Sequence, residues 1–203
     1  MIDFDFLDTL INDVEKLRNQ IEFREIDITK CMVSYMPTKK TSFVGYKQGY
    51  SDCLVRNEKG IKESDKIRAN IKNYHKLIKD ENVELIQIET YGNGRIDCVF
   101  QVHWLENTRY LFPFSANGGF YPTYVYATKF EDNSVVAEYM VQGSQIVYET
   151  YSYNSDNQVD YSCIHYVSGG NYPVREQRKG IFKLNPLTNN QTYYDCWLNH
   201  RHI

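Results

Sequence analysis

Residues 85–104 read LIQIETYGNGRIDCVFQVHW, with strand-like arms on either side of a Gly-Asn-Gly turn. In the second arm every second residue is apolar, which gives a strand one apolar face. These residues are Ile96, Cys98, Phe100, Val102 and Trp104. An Asn-Gly pair supplies the positive φ angles that a tight hairpin turn requires. The sequence therefore predicts a hairpin with strands at 85–91 and 95–104.

The period of two continues along the rest of the chain. Further strands are predicted at 109–114, 124–130, 135–142, 146–153, 159–166 and 174–184. Turn residues recur about every ten residues between them, which is typical of antiparallel strands joined in a meander. We expect a mainly antiparallel sheet over most of residues 84–184.

The first 80 residues show helical as well as strand patterns. Apolar residues recur with the helical period over 7–21, and a second stripe predicts another helix over 64–80. This second stripe consists of Ile67, Ile71, Tyr74 and Ile78. Two strands, 26–36 and 41–55, are predicted around a turn at 37–40. The prediction is one α+β domain, 1–203, with two helices in its N-terminal half packed on a long, twisted antiparallel sheet.

Composition narrows the functional classes. The chain has 203 residues, a net charge of −3 and 18 tyrosines. A nucleic-acid binder needs a basic face, so we expect no nucleic-acid partner. We also expect no membrane partner, because no stretch approaches the ~18 consecutive apolar residues of a membrane span. The acidic N-terminus lacks the features of a signal peptide, which predicts a cytoplasmic location.

The five cysteines predict free thiols in a reducing compartment. Their number is odd and they lie far apart, mostly in strand-like runs. The residues are Cys31, Cys53, Cys98, Cys163 and Cys196. A zinc site built from Cys163, His165, Cys196, His200 and His202 is a separate possibility. Their spacing matches no standard zinc module, so no metal or other cofactor is expected.

The strongest functional signal is electrostatic. Residues 130–174 contain several carboxylates and tyrosines but no lysine or arginine. If the apolar residues of three adjacent strands face the core, the acidic ones face outward. This pattern predicts a partner-binding surface made of Glu138, Glu149, Tyr151, Tyr153 and Asp160. The alternative is that these carboxylates form a solvated face with no further role.

The arrangement resembles the immunity proteins of bacterial polymorphic and contact-dependent toxins. The resemblance is carried by an amphipathic helix at 7–21, a second helix before a hairpin, and an acidic, tyrosine-rich meander. The segment from Tyr91 to Phe100, YGNGRIDCVF, is similar to the glycine-turn-then-apolar-strand pattern of some of these proteins. The resemblance implies a non-enzymatic antitoxin that binds a cognate protein toxin, and we expect this toxin to be a basic nuclease. The alternative is a small cytosolic hydrolase or nuclease that uses His103 or His165.

Overall fold

An antiparallel sheet dominates the fold. The computed structural model describes residues 3–37, 64–132, 134–154, 158–184 and 191–194. Within these ranges eleven strands form one sheet, whose spatial order is their order along the chain. The strands are β1 (Met32–Pro37), β2 (Tyr74–Lys79), β3 (Leu85–Gly92), β4 (Arg95–Leu105), β5 (Thr108–Phe114), β6 (Val125–Glu131), β7 (Ser134–Gln142), β8 (Gln145–Tyr153), β9 (Gln158–Val167), β10 (Val174–Leu184) and β11 (Gln191–Tyr194). Every neighbouring pair is antiparallel, so the predicted meander is confirmed.

One α-helix, α1 (Phe4–Arg18), packs on a face of this sheet. The Asp3 carboxylate caps its start by accepting a hydrogen bond from the backbone N–H of Phe6 over 3.0 Å. Its buried side chains are Leu7, Ile11 and Val14, which lie on one side of the helix. The predicted amphipathic helix is thereby confirmed, and its apolar stripe is used for packing.

Both faces of the sheet carry buried apolar residues. The face covered by α1 contributes Tyr110, Phe112, Phe114, Val125, Ala127, Tyr139, Val141, Ile146, Ile164, Tyr166 and Val174. The intervening positions supply the core of the opposite face, namely Leu77, Ile88, Cys98, Phe100, Val102, Leu111 and Tyr126. Because successive side chains of a strand point to opposite faces, one sheet serves two apolar layers.

The predicted second helix, over 64–80, is wrong. Residues 64–73 are irregular, and the rest of the range forms strand β2. Strand β2 has completely buried side chains on both faces, namely His75 and Leu77 on one face and Ile78 on the other. Burial on both faces hides the period of two, so the helical spacing of Ile71 and Ile78 misled the prediction. The fold is a large antiparallel sheet with a single α-helix in the described ranges, not a two-helix α+β arrangement.

The predicted N-terminal strand pair is corrected as well. A short 3-10 helix, Ile28–Lys30, occupies the start of the first predicted strand, and β1 begins only at Met32. The partner of β1 in the sheet is β2, along the whole length of both strands. The predicted strand at 41–55 lies outside the described residues.

Candidate functional site

Three of the five residues predicted to face a partner are buried. Glu138, Glu149 and Tyr151 are 4%, 7% and 5% exposed. They lie on the face opposite α1, because Tyr139 and Ile146 on the same two strands pack under the helix. The predicted side of the sheet was correct for these three residues. Their predicted exposure was wrong, because this face of the sheet is packed too.

These residues form a buried carboxylate cluster, which we define as Thr128, Glu138, Glu149 and Tyr151. Glu138 lies directly across from Glu149 in the β7–β8 pair. The Tyr151 hydroxyl donates a short hydrogen bond to Oε2 of Glu149 and lies 3.4 Å from Oε2 of Glu138. The Thr128 hydroxyl donates to Oε1 of Glu138 over 3.2 Å. Buried carboxylates need such donors, so the cluster belongs to the packed interior.

The other two predicted residues are exposed but lie on different faces. Tyr153 is 39% exposed, and its hydroxyl donates to the carbonyl oxygen of Val135 over 2.8 Å. Asp160 is exposed on the face that carries α1, because its partner in the β8–β9 pair is Ser152, which points to that face. The partner of Glu149 in β9 is Cys163, not Asp160. The predicted alternation of β9 was therefore shifted by one residue relative to β8. The sheet does not bring the five residues together on one surface.

Exposed carboxylates and apolar side chains do meet at one end of the sheet. A meander alternates its turns between two ends, so the β2–β3, β4–β5 and β6–β7 turns lie at the same end. We call this end the turn edge and define it as 80–84, 104–107, 130–132, 134–135 and Tyr153. Its exposed apolar residues are Val83 (60%), Trp104 (52%), Leu105 (49%) and Tyr153 (39%). Its exposed carboxylates are Glu81, Glu84, Glu106, Glu131 and Asp132.

Side-chain contacts join the neighbouring turns into a continuous surface. Asn107 donates from Nδ2 to the carbonyl oxygen of Phe130 over 2.8 Å, and the Phe130 N–H donates back to the Asn107 carbonyl over 2.9 Å. The Trp104 ring packs against Phe130 with centroids 5.5 Å apart. The hydrogen bond of Tyr153 to Val135 extends the surface to β8. These contacts join the β4–β5 turn, the β6–β7 turn and β8, and the β2–β3 turn lies at the same end of the sheet.

The local charge of the turn edge is negative. Lys129 forms an ion pair with Glu131 at 3.5 Å, and both side chains are about half exposed at 44% and 59%. Among the described residues, the turn edge has four further exposed carboxylates, Glu81, Glu84, Glu106 and Asp132, and its defined ranges contain no lysine or arginine. Exposed charges in one region add to a field that attracts cationic molecules.

The two histidines of the predicted enzymatic alternative lie apart from each other. Burial, followed by the charge of Arg24, lowers the pKa of His103 to about 4, so this imidazole is neutral near pH 7. Its ring packs edge-on against Phe112, 5.5 Å between centroids. His165 lies half-buried in β9, opposite Val147. The neighbours of His103 described above, the Phe112 ring and the Arg24 cation, are not nucleophiles that this histidine could activate.

The structure shows no disulfide among the described cysteines. Cys98 and Cys163 are buried and Cys31 is partly buried. Burial, assisted by the charge of Asp97, raises the pKa of Cys98 to about 12, which keeps this thiol protonated and unreactive. Cys53 and Cys196 lie outside the described residues, as do His200 and His202 of the possible zinc site. Within the described ranges no three or more histidine, cysteine or acidic residues are grouped to hold a metal ion.

A groove of about 470 Å³ lies between the start of α1 and strands β8 to β10. Its walls are formed by Phe6 and Leu7 of the helix, with Tyr148 and Ile164 from the sheet. Lys179 of β10 also lines it. The groove lies on the face of the sheet that α1 covers.

No protein-family model, no curated protein and no solved structure matches this chain. Among the helices in the described ranges, none has the length and apolar character that crossing a membrane requires.

Proposed function

We propose that the protein is a non-enzymatic binding protein that neutralises a basic protein partner through its turn edge. The observation that carries the proposal is that the exposed rings of Trp104 and Tyr153, on the same face of the sheet, lie at the end that carries the exposed carboxylates of the β4–β5 and β6–β7 turns. Clustered negative charge speeds the encounter with a cationic partner. Tryptophan is enriched among the residues that contribute most to protein–protein affinity.

The apolar residues distinguish this surface from a merely solvated one. Carboxylates alone would keep the protein soluble and need no partner. Trp104 is about half exposed, and its ring packs against Phe130, which is hydrogen-bonded to Asn107. Covering Trp104 would bury apolar area at a surface whose rim is already charged, which is the usual composition of an interface.

The partner that best fits this chemistry is a cognate toxin with nuclease activity, which makes the protein an antitoxin acting in the cytoplasm. A nuclease needs a basic surface to hold phosphates, and an acidic edge is complementary to such a surface. The resemblance of the sequence pattern to toxin immunity proteins supports the same partner. Inhibition then requires only that the bound edge covers the substrate surface of the toxin.

Co-expression tests the proposal. The product of the reading frame immediately upstream of this gene should arrest growth when expressed alone, and this protein should restore growth. Trp104→Ala and Glu106→Lys should weaken the rescue while circular dichroism shows an unchanged fold. Glu22→Lys is the matched control, because it reverses one exposed charge that is not part of the turn edge and should rescue fully.

Two outcomes would contradict the proposal. One is that the protein gives no rescue, and the other is that the Trp104 and Glu106 variants rescue as well as the wild type. The enzymatic alternative makes a different prediction. If His103 or His165 were catalytic, His103→Asn or His165→Asn would abolish rescue in a folded protein, whereas the binding mechanism leaves rescue intact.

A further inference from the structure

The floor of the groove beside the start of α1 is made of two rows of side chains that cross strands β8 to β10. The first row lies beside the Phe6 ring, is mainly apolar, and consists of Tyr148, Ile164 and Gln177. The second row is polar and consists of Thr150, Ser162 and Lys179. Each row covers two strand spacings, or about 10 Å. The floor is therefore apolar on one side and polar on the other.

The polar side chains of this floor are available to a ligand. Among the described residues, no hydrogen bond or ion pair joins another group to the side chain of Thr150, Ser162, Gln177 or Lys179. The first three of these are only partly exposed. Covering such groups without a hydrogen bond costs free energy. A molecule that fills the groove must therefore bring hydrogen-bonding groups as well as an apolar body.

The charges of the groove favour a ligand with one negative charge. Lys179 is exposed, and Gln177 lies two residues away on the same face of β10. An ammonium group and an amide at this spacing can both donate hydrogen bonds to one carboxylate. Asp3 also lines the groove, and its carboxylate accepts a hydrogen bond from the Phe6 N–H over 3.0 Å. The negative charge of Asp3 repels a doubly charged group such as a phosphate more strongly than a carboxylate.

We propose that this groove binds a monocarboxylate with an unbranched apolar chain of medium length. The carboxylate lies at β10 and accepts hydrogen bonds from Gln177 and Lys179, and the Ser162 hydroxyl beside Lys179 is a third donor. The chain crosses Ile164 and Tyr148 towards β8. The volume of about 470 Å³ is within the range of small-ligand pockets. The width of about 10 Å across the three strands is close to the length of an extended octanoate chain.

Isothermal titration calorimetry with octanoate tests the inference. Octanamide is the matched ligand, because it has the same chain without the charge. The wild type should bind one octanoate per chain and should bind octanamide about tenfold more weakly, since a hydrogen bond to a charged group is the stronger one. Lys179→Met should lower the affinity for octanoate about tenfold and leave the affinity for octanamide unchanged. Lys179→Arg keeps the positive charge and should retain the preference for octanoate.

Two further variants show whether the effect belongs to the groove. Ser162→Leu places a larger apolar side chain on the floor of the groove and should block both ligands. Lys72→Met removes an exposed lysine that does not line the groove, and it should bind both ligands as the wild type does. Circular dichroism should show the wild-type fold for each variant, because Lys72 and Lys179 are exposed and Ser162 is partly exposed.

Three results would overturn the inference. They are the absence of saturable octanoate binding by the wild type, equal affinities of the wild type for octanoate and octanamide, and a loss of octanoate affinity in Lys72→Met as large as in Lys179→Met. Self-association that Ser162→Leu abolishes, without octanoate binding, would assign the groove to a second copy of the chain and would also overturn it. None of these results bears on the proposed function, because neither Lys179 nor Ser162 belongs to the turn edge.

Discussion

Replacing Lys76 with methionine removes one half of an ion pair that is largely buried. The Nζ atom of Lys76 lies 3.2 and 3.1 Å from the two carboxylate oxygens of Glu89. The two side chains are only 15% and 11% exposed. Tyr91 donates from its hydroxyl to Glu89 over 2.8 Å, and Gln87 donates from its amide over 3.3 Å. Glu89 therefore has three donors, of which only Lys76 carries the compensating charge.

The expected cost follows from this geometry. At an effective dielectric constant of about 20, two unit charges at the observed separation attract by about 5 kcal/mol. Moving both charges out of water offsets much of that gain, so the intact pair adds little net stability. Lys76→Met leaves the Glu89 charge buried and uncompensated, which typically costs about 3–5 kcal/mol. We expect about 3 kcal/mol, because Tyr91 and Gln87 still donate to the carboxylate.

Urea denaturation followed by circular dichroism measures this cost. The four proteins needed are the wild type, Lys76→Met, Glu89→Gln and the double variant, and they form a double-mutant cycle. The double variant has no charge left to compensate and keeps an acceptor for Tyr91, so it should lie within about 1 kcal/mol of the wild type. The reasoning from burial would be refuted if Lys76→Met lowered the free energy of unfolding by less than about 1 kcal/mol. It would also be refuted if the double variant lost as much stability as the two single variants together.

The remaining predictions concern thiols and pH. Thiol titration of the unfolded protein should give the same count with and without reductant, whereas a lower count without reductant would reveal a disulfide. In the folded protein Cys98 should resist alkylation at pH 8, because its thiol stays protonated well above that pH. Stability should fall as the pH is lowered from about 6.5 towards 4, since the unfolded chain protonates His103 in that range and the folded protein does not. His103→Asn should flatten this part of the stability curve, and an NMR titration placing the pKa of His103 near 6.5 would contradict the explanation.

Local patterns predicted the sheet because each hairpin is specified by nearby residues. The alternation of Cys98, Phe100 and Val102 and the Asn-Gly turn determine β3 and β4 without reference to the rest of the chain. Exceptions arise where both faces of a strand are buried. In β2 the buried residues no longer alternate with polar ones, so the strand resembled a helix.

The candidate site was predicted less well, for a related reason. Outward orientation of Glu138 and Glu149 was inferred from the assumption that only one face of the sheet is packed. The second apolar layer, with Phe100 and Tyr126, invalidates that assumption. Exposure at the turn edge depends instead on which turns lie at the same end, and that is known only once the strand order is known. Trp104, counted in the sequence among the apolar positions of its strand, is exposed because it lies near the end of β4.

The strand order also determines how the chain can fold. Each strand pairs with strands adjacent in sequence, so most pairings close short loops at small entropic cost. Pairing between consecutive strands keeps most strand contacts local in sequence, so the sheet can grow outward from an early hairpin. The docking of α1 is different, because the bond from the Tyr166 hydroxyl to Asp8 joins residues 158 positions apart. The helix can therefore bind its site only after β7 to β9 have formed the surface that receives it, which makes its docking a late step of folding.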